Sequence, residues 1–482
     1  MNLDEKLRQL KKAAKPRDPD RELEQTLEYL RRLEQPSGPR PLPAQRAAKG
    51  IEEYVEGALA RNDWGEYFLA RQAFPFGRPY GKLRIGDIST ADLSPLNLLL
   101  PDAALPAPSR LVFLDTETTG LAGGTGTCAF LIGIGTVEGV QFVVRQFFLR
   151  DYPEEKAILR ALAEVLESSD GLVTYNGKTF DVPLLETRYA LARLESPFAR
   201  LLHLDALHPA RRLWKLRLES CKLTDLESAV LGIGREGDVP GSEIPGIYFD
   251  YLRTGDARGL QPVFYHNALD VMTLAALTVE LARAIGDAGA STLASPVDLF
   301  SLSRIFETAG SREQSVATCQ RALSGGLPEE IEARALRQLA LQHKRQGKHE
   351  LAVEIWLELA RRASPLALEA FEQLAIYYEH HRRDPKSALE FTLSALDRLS
   401  EHSPQNLPPQ GLTRRGEAPP RPYQEHQQTR DSALPPDELQ TLRNRSALPP
   451  SPVALLARFT HRLERLQRKV TRLPSAIKLP IA

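Results

Sequence analysis

Apolar and polar residues follow regular patterns between residues 109 and 290, and these patterns predict an α/β domain. Residues 111–116 form a short apolar run that is typical of a buried strand. Residues 128–150 predict two further strands joined by a Glu-Gly turn, which together make a hairpin. The first strand and the hairpin therefore begin a sheet.

Helices alternate with a further strand after the hairpin. The stretch 153–169 carries a proline and acids in its first turn and apolar residues at helical spacing, which predicts an amphipathic helix. A short strand at 171–177 and a second helix at 181–194 follow. This order predicts a mixed sheet flanked by helices. Three more helical stretches are expected near 207–216, 222–231 and 262–286.

The pattern becomes purely helical after about residue 295. Ser315, Ala352 and Ala388 occupy equivalent positions in three similar segments, at spacings of 37 and 36 residues. Helix pairs with a period in the mid-thirties indicate an all-α helical-repeat domain over 296–400, similar to tetratricopeptide repeats. Such surfaces usually bind peptides or proteins, so a protein partner is expected.

The remaining segments lack the pattern of a large core. Residues 1–48 are charged and weakly helical, and we expect them to be mobile. Residues 49–108 predict short strands around Gly- and Pro-rich turns, forming a small β-containing cap. Residues 401–452 are rich in Pro, Gln, Ser and Arg and predict a disordered linker, whereas residues 453–473 predict a basic amphipathic helix.

The basic helix admits several interpretations. Between residues 452 and 482 there are seven Lys and Arg and one Glu. Such a helix can bind nucleic acid, an anionic membrane surface or a partner's groove, or it can pack back on the repeats through its apolar face. Packing or partner binding is favoured over a membrane.

Composition narrows the class of protein. The 482 residues are enough for about two to four domains. Lys+Arg and Asp+Glu are equal at 62 each, so a surface that binds nucleic acid must come from a local excess of positive charge. The three cysteines, at 128, 221 and 319, are too widely spaced for a disulfide framework or a zinc pattern. The N-terminal residues show no apolar signal region and no run of 18 apolar residues predicts a membrane span, so we expect a cytoplasmic protein.

Two acids lie at the end of the first predicted strand. Asp115 and Glu117 are two residues apart, so their side chains share a face at a separation of about 7 Å. The pair is either a solvated strand end or part of a site for Mg²⁺ or Mn²⁺, which prefer oxygen ligands. Asp181 follows the strand at 171–177 and begins a helix, where it is either a ligand or a helix cap.

Another aspartate lies on a strongly apolar helix. This residue is Asp270, and its charge is costly in such a position unless it is paired or bound to a metal. His266 precedes it by one helical turn, so the two share a face, although His266 can also be a hydrogen-bonded core residue. Four acids on separate elements with a His nearby match the needs of phosphodiester hydrolysis with two metal ions.

Three segments carry a resemblance to a known family. "FLDTETTG", "YNGKTFDVPLL" and "YHNALDVMTL" resemble, in order and spacing, the three exonuclease motifs of the DEDD superfamily in the ribonuclease H-like fold. "LIGIG" on the second strand fits the same pattern. Residues 109–285 are most similar to the YprB-type ribonuclease H-like domain, a group in which helical repeats also occur downstream.

The resemblance implies an activity and a set of ligands. Asp115, Glu117, Asp181 and Asp270 would bind two divalent ions, Mg²⁺ or Mn²⁺. The protein would be a nuclease that cuts nucleic acid, usually in the 3′→5′ direction.

The general base departs from the family pattern. Superfamily members carry either a His five residues before the last Asp or a Tyr four residues before it, whereas here Tyr265 and His266 occupy these positions in swapped order. The four-residue spacing places His266 over the metal-binding face, and a His is suited to accept a proton near neutral pH. His266 is therefore the predicted base, with Tyr265 as the fallback.

Residues beside the acids are candidates for contacts with nucleic acid. Each of these residues can instead simply form part of a loop or turn. For the Asn-Gly-Lys turn after the strand at 171–177, the two interpretations are equally favoured. The candidates are Thr118, Thr119, Gly120, Asn176, Lys178 and Tyr265.

The sequence leaves two hypotheses about function. The first is a metal-dependent exonuclease that acts on the ends of single-stranded DNA or RNA. The second, prompted by the swapped pair and the large repeat region, is a non-catalytic nucleic-acid-binding adaptor whose repeats recruit a protein. The geometry of the carboxyl groups distinguishes them, because a metal site needs these groups within about 4–8 Å of one another, with Asp270 facing the others.

Overall fold

A seven-stranded mixed sheet organises the first of the two units into which the chain divides. In the computed structural model the first unit ends at Ala322 and the second begins at Leu323. The predicted mobile segment 1–48 and nearly all of the predicted linker 401–452 lie outside the described residues. The structure describes residues 50–100, 103–120, 126–286, 295–401 and 452–471.

Nine strands in the described residues form two sheets. The large sheet has the order β1-β2-β7-β6-β5-β8-β9, and β3 and β4 pair with each other. The pairs β5–β8 and β8–β9 are parallel and the other pairs are antiparallel, so β5 stands where the two parts of the sheet meet. The strands are β1 (Gly57–Asn62), β2 (Gly65–Pro75), β3 (Pro79–Tyr80), β4 (Leu83–Arg84), β5 (Leu111–Thr118), β6 (Ala129–Glu138), β7 (Gln141–Phe148), β8 (Gly171–Thr174) and β9 (Leu202–Asp205).

Helices connect the strands of the first unit and make up the described part of the second. The predicted mixed sheet flanked by helices and the helical region after it are confirmed. The sequence patterns did not predict β9 or α6, because β9 has four residues and the apolar residues of α6 are interrupted by Pro and Gly in its first turn. The helices are α1 (Asp87–Thr90), α2 (Glu155–Glu167), α3 (Asp181–Leu191), α4 (Leu207–Trp214), α5 (Leu223–Leu226), α6 (Ile244–Thr254), α7 (Gln261–Gly286), α8 (Pro296–Thr308), α9 (Arg312–Ser324), α10 (Glu329–Arg345), α11 (His349–Arg361), α12 (Leu366–His380), α13 (Pro385–Glu401) and α14 (Pro452–Thr471).

Two strands from the segment 49–108, which the sequence predicts to be a small β-containing cap, belong to the central sheet. β2 pairs with β7 over eight residues, from Phe68 opposite Phe148 to Pro75 opposite Gln141, and β1 pairs with β2. These strands therefore extend the central sheet. Local alternation predicts that a strand exists, but its partner about 70 residues away is chosen by packing, which the local pattern does not contain.

Helix α7 packs on β5, β6 and β7, and a glycine lets it approach the sheet closely. Asp115, Gly133 and Gln146 lie opposite one another on β5, β6 and β7. Asn267 of α7 lies over this row, and a Cβ at Gly133 would come within 2.2 Å of its Oδ1 atom. The "LIGIG" segment thus supplies the space in which a polar residue of α7 reaches the sheet.

The second unit is a series of helices in which each packs on the next. Its core includes Trp356, Leu359 and Leu374, and α14 packs on α13. Ala352 and Ala388, two of the positions aligned in the sequence, are buried. The similarity of these helix pairs to tetratricopeptide repeats stays a prediction.

Cys128, Cys221 and Cys319 are buried free thiols. In the part of the chain that the structure describes, no helix combines the length and the apolar character needed to cross a membrane.

We expect Gly133→Ala to lower the free energy of unfolding by about 1–3 kcal/mol, because the new methyl group would force Asn267 to move. Urea unfolding followed by circular dichroism measures the change. Gly246→Ala in α6 is the matched control, since a Cβ there meets no atom within 4 Å and alanine favours a helix. Equal unfolding midpoints for the two variants would contradict the close approach of α7 to β6.

Candidate metal centre

Two parallel strands bring the predicted acids to one edge of the sheet. Asp115 and Glu117 lie in the second half of β5, and Asp181 begins α3 after β8. The carboxyl ends of β5 and β8 meet because these strands run in parallel, in the register of Leu111 opposite Gly171. Sequence order and strand pairing together therefore place these acids close to one another.

Helix α7 adds a histidine and a fourth acid. Donor atoms of Glu117, His266 and Asp270 all lie within 4.8 Å of one another. The Nε2 atom of His266 is 3.4 Å from Oδ2 of Asp270 and 3.9 Å from Oε1 of Glu117. These three side chains are only 12–14% exposed. Asp270 thus faces Glu117 of β5, whereas Asp115 and Asp181 are not part of this group of three.

The donor set fits a divalent cation. Oxygen and imidazole ligands bind such ions at roughly 2.0–2.2 Å, so donor atoms up to about 4 Å apart can share one ion. The separations from His266 to Asp270 and Glu117 lie in that range. Glu117, His266 and Asp270 can therefore hold a divalent ion.

Buried amides orient Asp115. Its Oδ2 atom accepts a hydrogen bond from Nδ2 of Asn267 at 2.8 Å, and Oδ1 of Asn267 accepts one from Nε2 of Gln146 at 2.9 Å. Both amide side chains are fully buried. Sequence reasoning missed Asn267 and Gln146, although a polar residue between His266 and Asp270 on an apolar helix was an available signal.

Thr116 ties Asp181 to the central strand. Its Oγ1 atom donates a hydrogen bond to Oδ1 of Asp181. The N-cap of α3 is Phe180, which makes no side-chain capping hydrogen bond. Asp181 therefore bonds across to β5 from the first residue of α3.

An arginine and two acids from outside the sequence motifs complete the cluster. Arg235 forms two hydrogen bonds of 2.6 Å with Glu227, one of 2.9 Å with Asp238, and a further one with Asp270. Asp238 lies 2.9 Å from Nδ1 of His266. Sequence reasoning missed all three, because Arg235 and Asp238 lie in a Gly-rich loop without a motif.

Burial and mutual repulsion perturb the acids of β5 and α3. Burial raises the pKa of Glu117 to about 7, with the charges of Asp270 and Asp181 adding to the effect and that of His266 opposing it. Burial raises the pKa of Asp181 to about 6, although the hydrogen bond from Thr116 opposes it. Burial and then Asp270 raise the pKa of Asp115 well above its usual range. Such a cluster favours a bound cation, because the cation offsets the repulsion.

His266 and Arg235 bring positive charge next to Asp270. Burial lowers the pKa of His266, but the hydrogen bond to Asp270 and the charges of Asp270, Glu117 and Asp238 raise it to about 10. For Asp270, burial raises the pKa, but the bonds and charges of His266 and Arg235 outweigh burial and lower it. Asp270 is consequently the acid of the cluster that the chain's own cations stabilise most directly.

Some of the residues predicted to contact nucleic acid make hydrogen bonds within the fold, whereas others have exposed side chains. Asn176 has a left-handed φ of 67°, and its backbone amide and that of Lys178 donate to Asp205 at 2.7 and 3.1 Å. Asp205 thus shapes this turn, while the side chain of Lys178 is exposed. Tyr265 is 44% exposed beside His266.

The loop after β5 uses its hydroxyl groups locally. Oγ1 of Thr118 donates to the carbonyl oxygen of Gly120 at 2.9 Å. Oγ1 of Thr119 accepts from the amide of Cys128 at 3.1 Å. These bonds hold the start of the loop beside the candidate metal centre, and a role for these residues in binding nucleic acid stays a prediction.

We expect Glu117→Gln to stabilise the ion-free protein at pH 8 by about 1–3 kcal/mol. The pKa of Glu117 is raised from 4.5 to about 7, so the folded chain holds the proton more tightly than the unfolded chain. Its contribution to stability therefore falls as the pH rises from about 4.5 to about 7, and the amide removes this loss. Thermal unfolding in EDTA should show the gain at pH 8 and little gain at pH 5. Glu167→Gln on the exposed face of α2 is the control, and a Glu117→Gln chain that melts earlier than wild type at pH 8 would contradict the repulsion.

Comparison with known proteins agrees with this geometry. Residues 112–282 match the RNase_H superfamily, and this range contains β5 from Val112 onward, α3 and the part of α7 that carries His266 and Asp270. The uncharacterized protein YprB of Bacillus subtilis (strain 168) is 32% identical over 305 residues, which cover 62% of this chain and 73% of YprB. The chain therefore belongs to the YprB family and carries an RNase_H superfamily domain at residues 112–282.

Proposed function

We propose that this protein is a metal-dependent nuclease that acts as a 3′→5′ exonuclease on the ends of single-stranded DNA or RNA. The observation that carries the proposal is the convergence of Glu117, His266 and Asp270 within 4.8 Å in an RNase_H superfamily domain. Asp115 and Asp181 add two more carboxylates with raised pKa values on the neighbouring elements. Divalent ions bound among these acids would offset the repulsion that raises their pKa values.

The proposed ligands are the acids of the three sequence motifs. Asp115, Glu117, Asp181 and Asp270 would hold two Mg²⁺ or Mn²⁺ ions. Such ions, when bound, activate a water molecule and stabilise the charge on the leaving oxygen. Asn267 and Thr116 serve this arrangement by fixing the carboxylates of Asp115 and Asp181.

His266 is the proposed general base. Asp238 contacts its Nδ1 atom, which fixes the ring so that Nε2 faces Glu117 and Asp270. Asp270 and Glu117, two of the three carboxylates that raise the pKa of His266, are proposed to hold the ions, and once their charge is neutralised Nε2 can accept a proton more readily at neutral pH. Asp238 then acts as a positioning residue for the base.

Exposed residues at the rim are the proposed contacts to the strand end. The ring of Tyr265 can stack on a base, and the ammonium group of Lys178 can pair with a phosphate. Asn176, Thr118, Thr119 and Gly120 would contribute through the backbone of the two loops that they shape.

A second candidate is a non-catalytic nucleic-acid-binding protein whose tetratricopeptide-like repeats recruit a protein partner. The hydrogen bond from Arg235 to Asp270 favours it, because a guanidinium group of the chain then neutralises one of the proposed ligands. Oligonucleotide binding that survives loss of the acids, with no turnover, is expected in that case.

Asp115→Asn and Asp181→Asn should each lower the rate of Mn²⁺-dependent degradation by about 100-fold or more, because each removes a charged ligand. The assay uses 20-nucleotide single strands of DNA and of RNA, labelled at either end. A 5′ label should give a ladder of shortening products, whereas a 3′ label should be released at once as a mononucleotide. Asp250→Asn, which changes an exposed acid of α6, is the control. Degradation of neither strand by wild type, or undiminished degradation by the Asp115 variant, would rule out the proposed activity.

His266→Ala should lower kcat by roughly 100-fold while the Mn²⁺ concentration for half-maximal activity changes little, since a base is lost and the carboxylates remain. Tyr265→Phe should change kcat by less than about threefold, because the hydroxyl alone is removed. If Tyr265→Phe is the more damaging change, Tyr265 is the base. A large rise in the Mn²⁺ requirement of His266→Ala would instead make His266 a metal ligand.

A further inference from the structure

Several cations of the C-terminal helix converge on one buried acid. Glu379 of α12 has a side chain that is 1% exposed. Its carboxylate lies 3.2 Å from Arg462, 2.7 Å from Arg465 and 2.7 Å from Lys469, all on α14. We call these three cations and Arg468 the α14 cation cluster. Its contacts with Glu379 hold α14 on α12.

The cluster holds more positive than negative charge. Glu464 lies 3.9 Å from Arg468, and the charge of Glu372, which pairs with Arg458, also acts on Arg462. Together with Glu379, three carboxylates therefore face the four cations of the cluster and Arg458. Burial lowers the pKa of Arg462, and the charge of Arg465 adds to this effect while Glu379 opposes it. Arg468 pairs with Glu464 of its own helix, so its charge is not used to hold α14 on α12.

Part of this charge faces a cavity. His461, Arg465, Arg468 and Lys469 line a cavity of about 330 Å³. The Nε atom of Arg465 is buried and has no hydrogen-bond partner among the described residues. The side chains of Arg468 and Lys469 are 70% and 47% exposed. A buried donor, an open cavity and exposed cations in one place match the requirements of an anion-binding site.

We propose that the α14 cation cluster binds the phosphates of a single-stranded nucleic acid, at a site separate from the metal centre. Arginine and lysine recognise phosphate through charge and hydrogen bonds, and a guanidinium group with a free donor suits this task. The choice of nucleic acid over another polyanion rests on the proposed function.

The packing of α14 argues against a membrane surface. A helix that lies in a lipid interface inserts a continuous apolar face. Phe459 and Leu466 of α14 are buried in the protein, which leaves Leu456 as its large exposed apolar residue in the described part. The exposed face is therefore basic and lacks the apolar stripe that lipid binding needs.

The test measures binding of the full chain to a fluorescein-labelled 20-nucleotide single-stranded DNA in EDTA, where hydrolysis cannot occur. Arg468→Gln/Lys469→Gln should weaken binding about tenfold and reduce the slope of log K against log salt by about 1.4, which is roughly 0.7 for each lost phosphate contact. Arg468→Gln alone, which leaves every pair with Glu379 in place, should give about half of that slope change. Arg334→Gln/Lys386→Gln removes two exposed cations elsewhere in the second unit and should leave both quantities unchanged.

Wild-type affinity and salt slope in both Arg468 variants would overturn the proposal. Tighter binding of vesicles of phosphatidylglycerol and phosphatidylcholine, or of polyglutamate, that the same variants weaken would also overturn it, because the occupant would be a lipid or an acidic protein. A wild-type chain that binds the strand in EDTA but degrades none with Mn²⁺ would contradict the nuclease and leave this site intact.

Discussion

The close packing of α7 on the middle of the sheet is the interaction on which the candidate centre depends. Asn267 sits over Gly133, where a methyl group has no space, and bridges Gln146 to Asp115. This contact sets the height of α7 above β5 and β6, and the same turn of the helix carries Asp270. A buried amide without partners costs about 1–3 kcal/mol, so the bridge also selects one position of the helix over its neighbours.

The cluster that this packing creates is electrostatically strained. Burial and repulsion raise the pKa values of Asp115, Glu117 and Asp181, and each raised value marks a loss of stability at neutral pH. At Asp270 the bonds and charges of His266 and Arg235 outweigh burial, so the pKa of Asp270 is lowered and its charge is stabilised. Proteins retain strain of this kind at sites where it serves binding or chemistry, and a bound cation would offset the repulsion.

Arg235 links the centre to parts of the chain that carry no motif. It is nearly buried between Glu227, Asp238 and Asp270, so the loop after α5 is held against Asp270 of the candidate metal centre. Through Asp238 the same residue also fixes the ring of His266. The swapped order of Tyr265 and His266 thus has a structural counterpart: the four-residue spacing puts His266 on the face of Asp270, while Tyr265 points outward and is half exposed.

The sequence by itself determined the mixed sheet, the hairpin of β6 and β7, the helical region after residue 295, and the four acids with His266 as candidates. These features are local, because each depends on the spacing of apolar residues or on a short motif. Only the tertiary structure decided that β1 and β2 extend the sheet, that Asn267 and Gln146 orient Asp115, and that Arg235 and Asp238 reach the centre. Those contacts join residues that are tens to more than a hundred positions apart, and their energies come from burial and charge in the assembled fold, which no local pattern records.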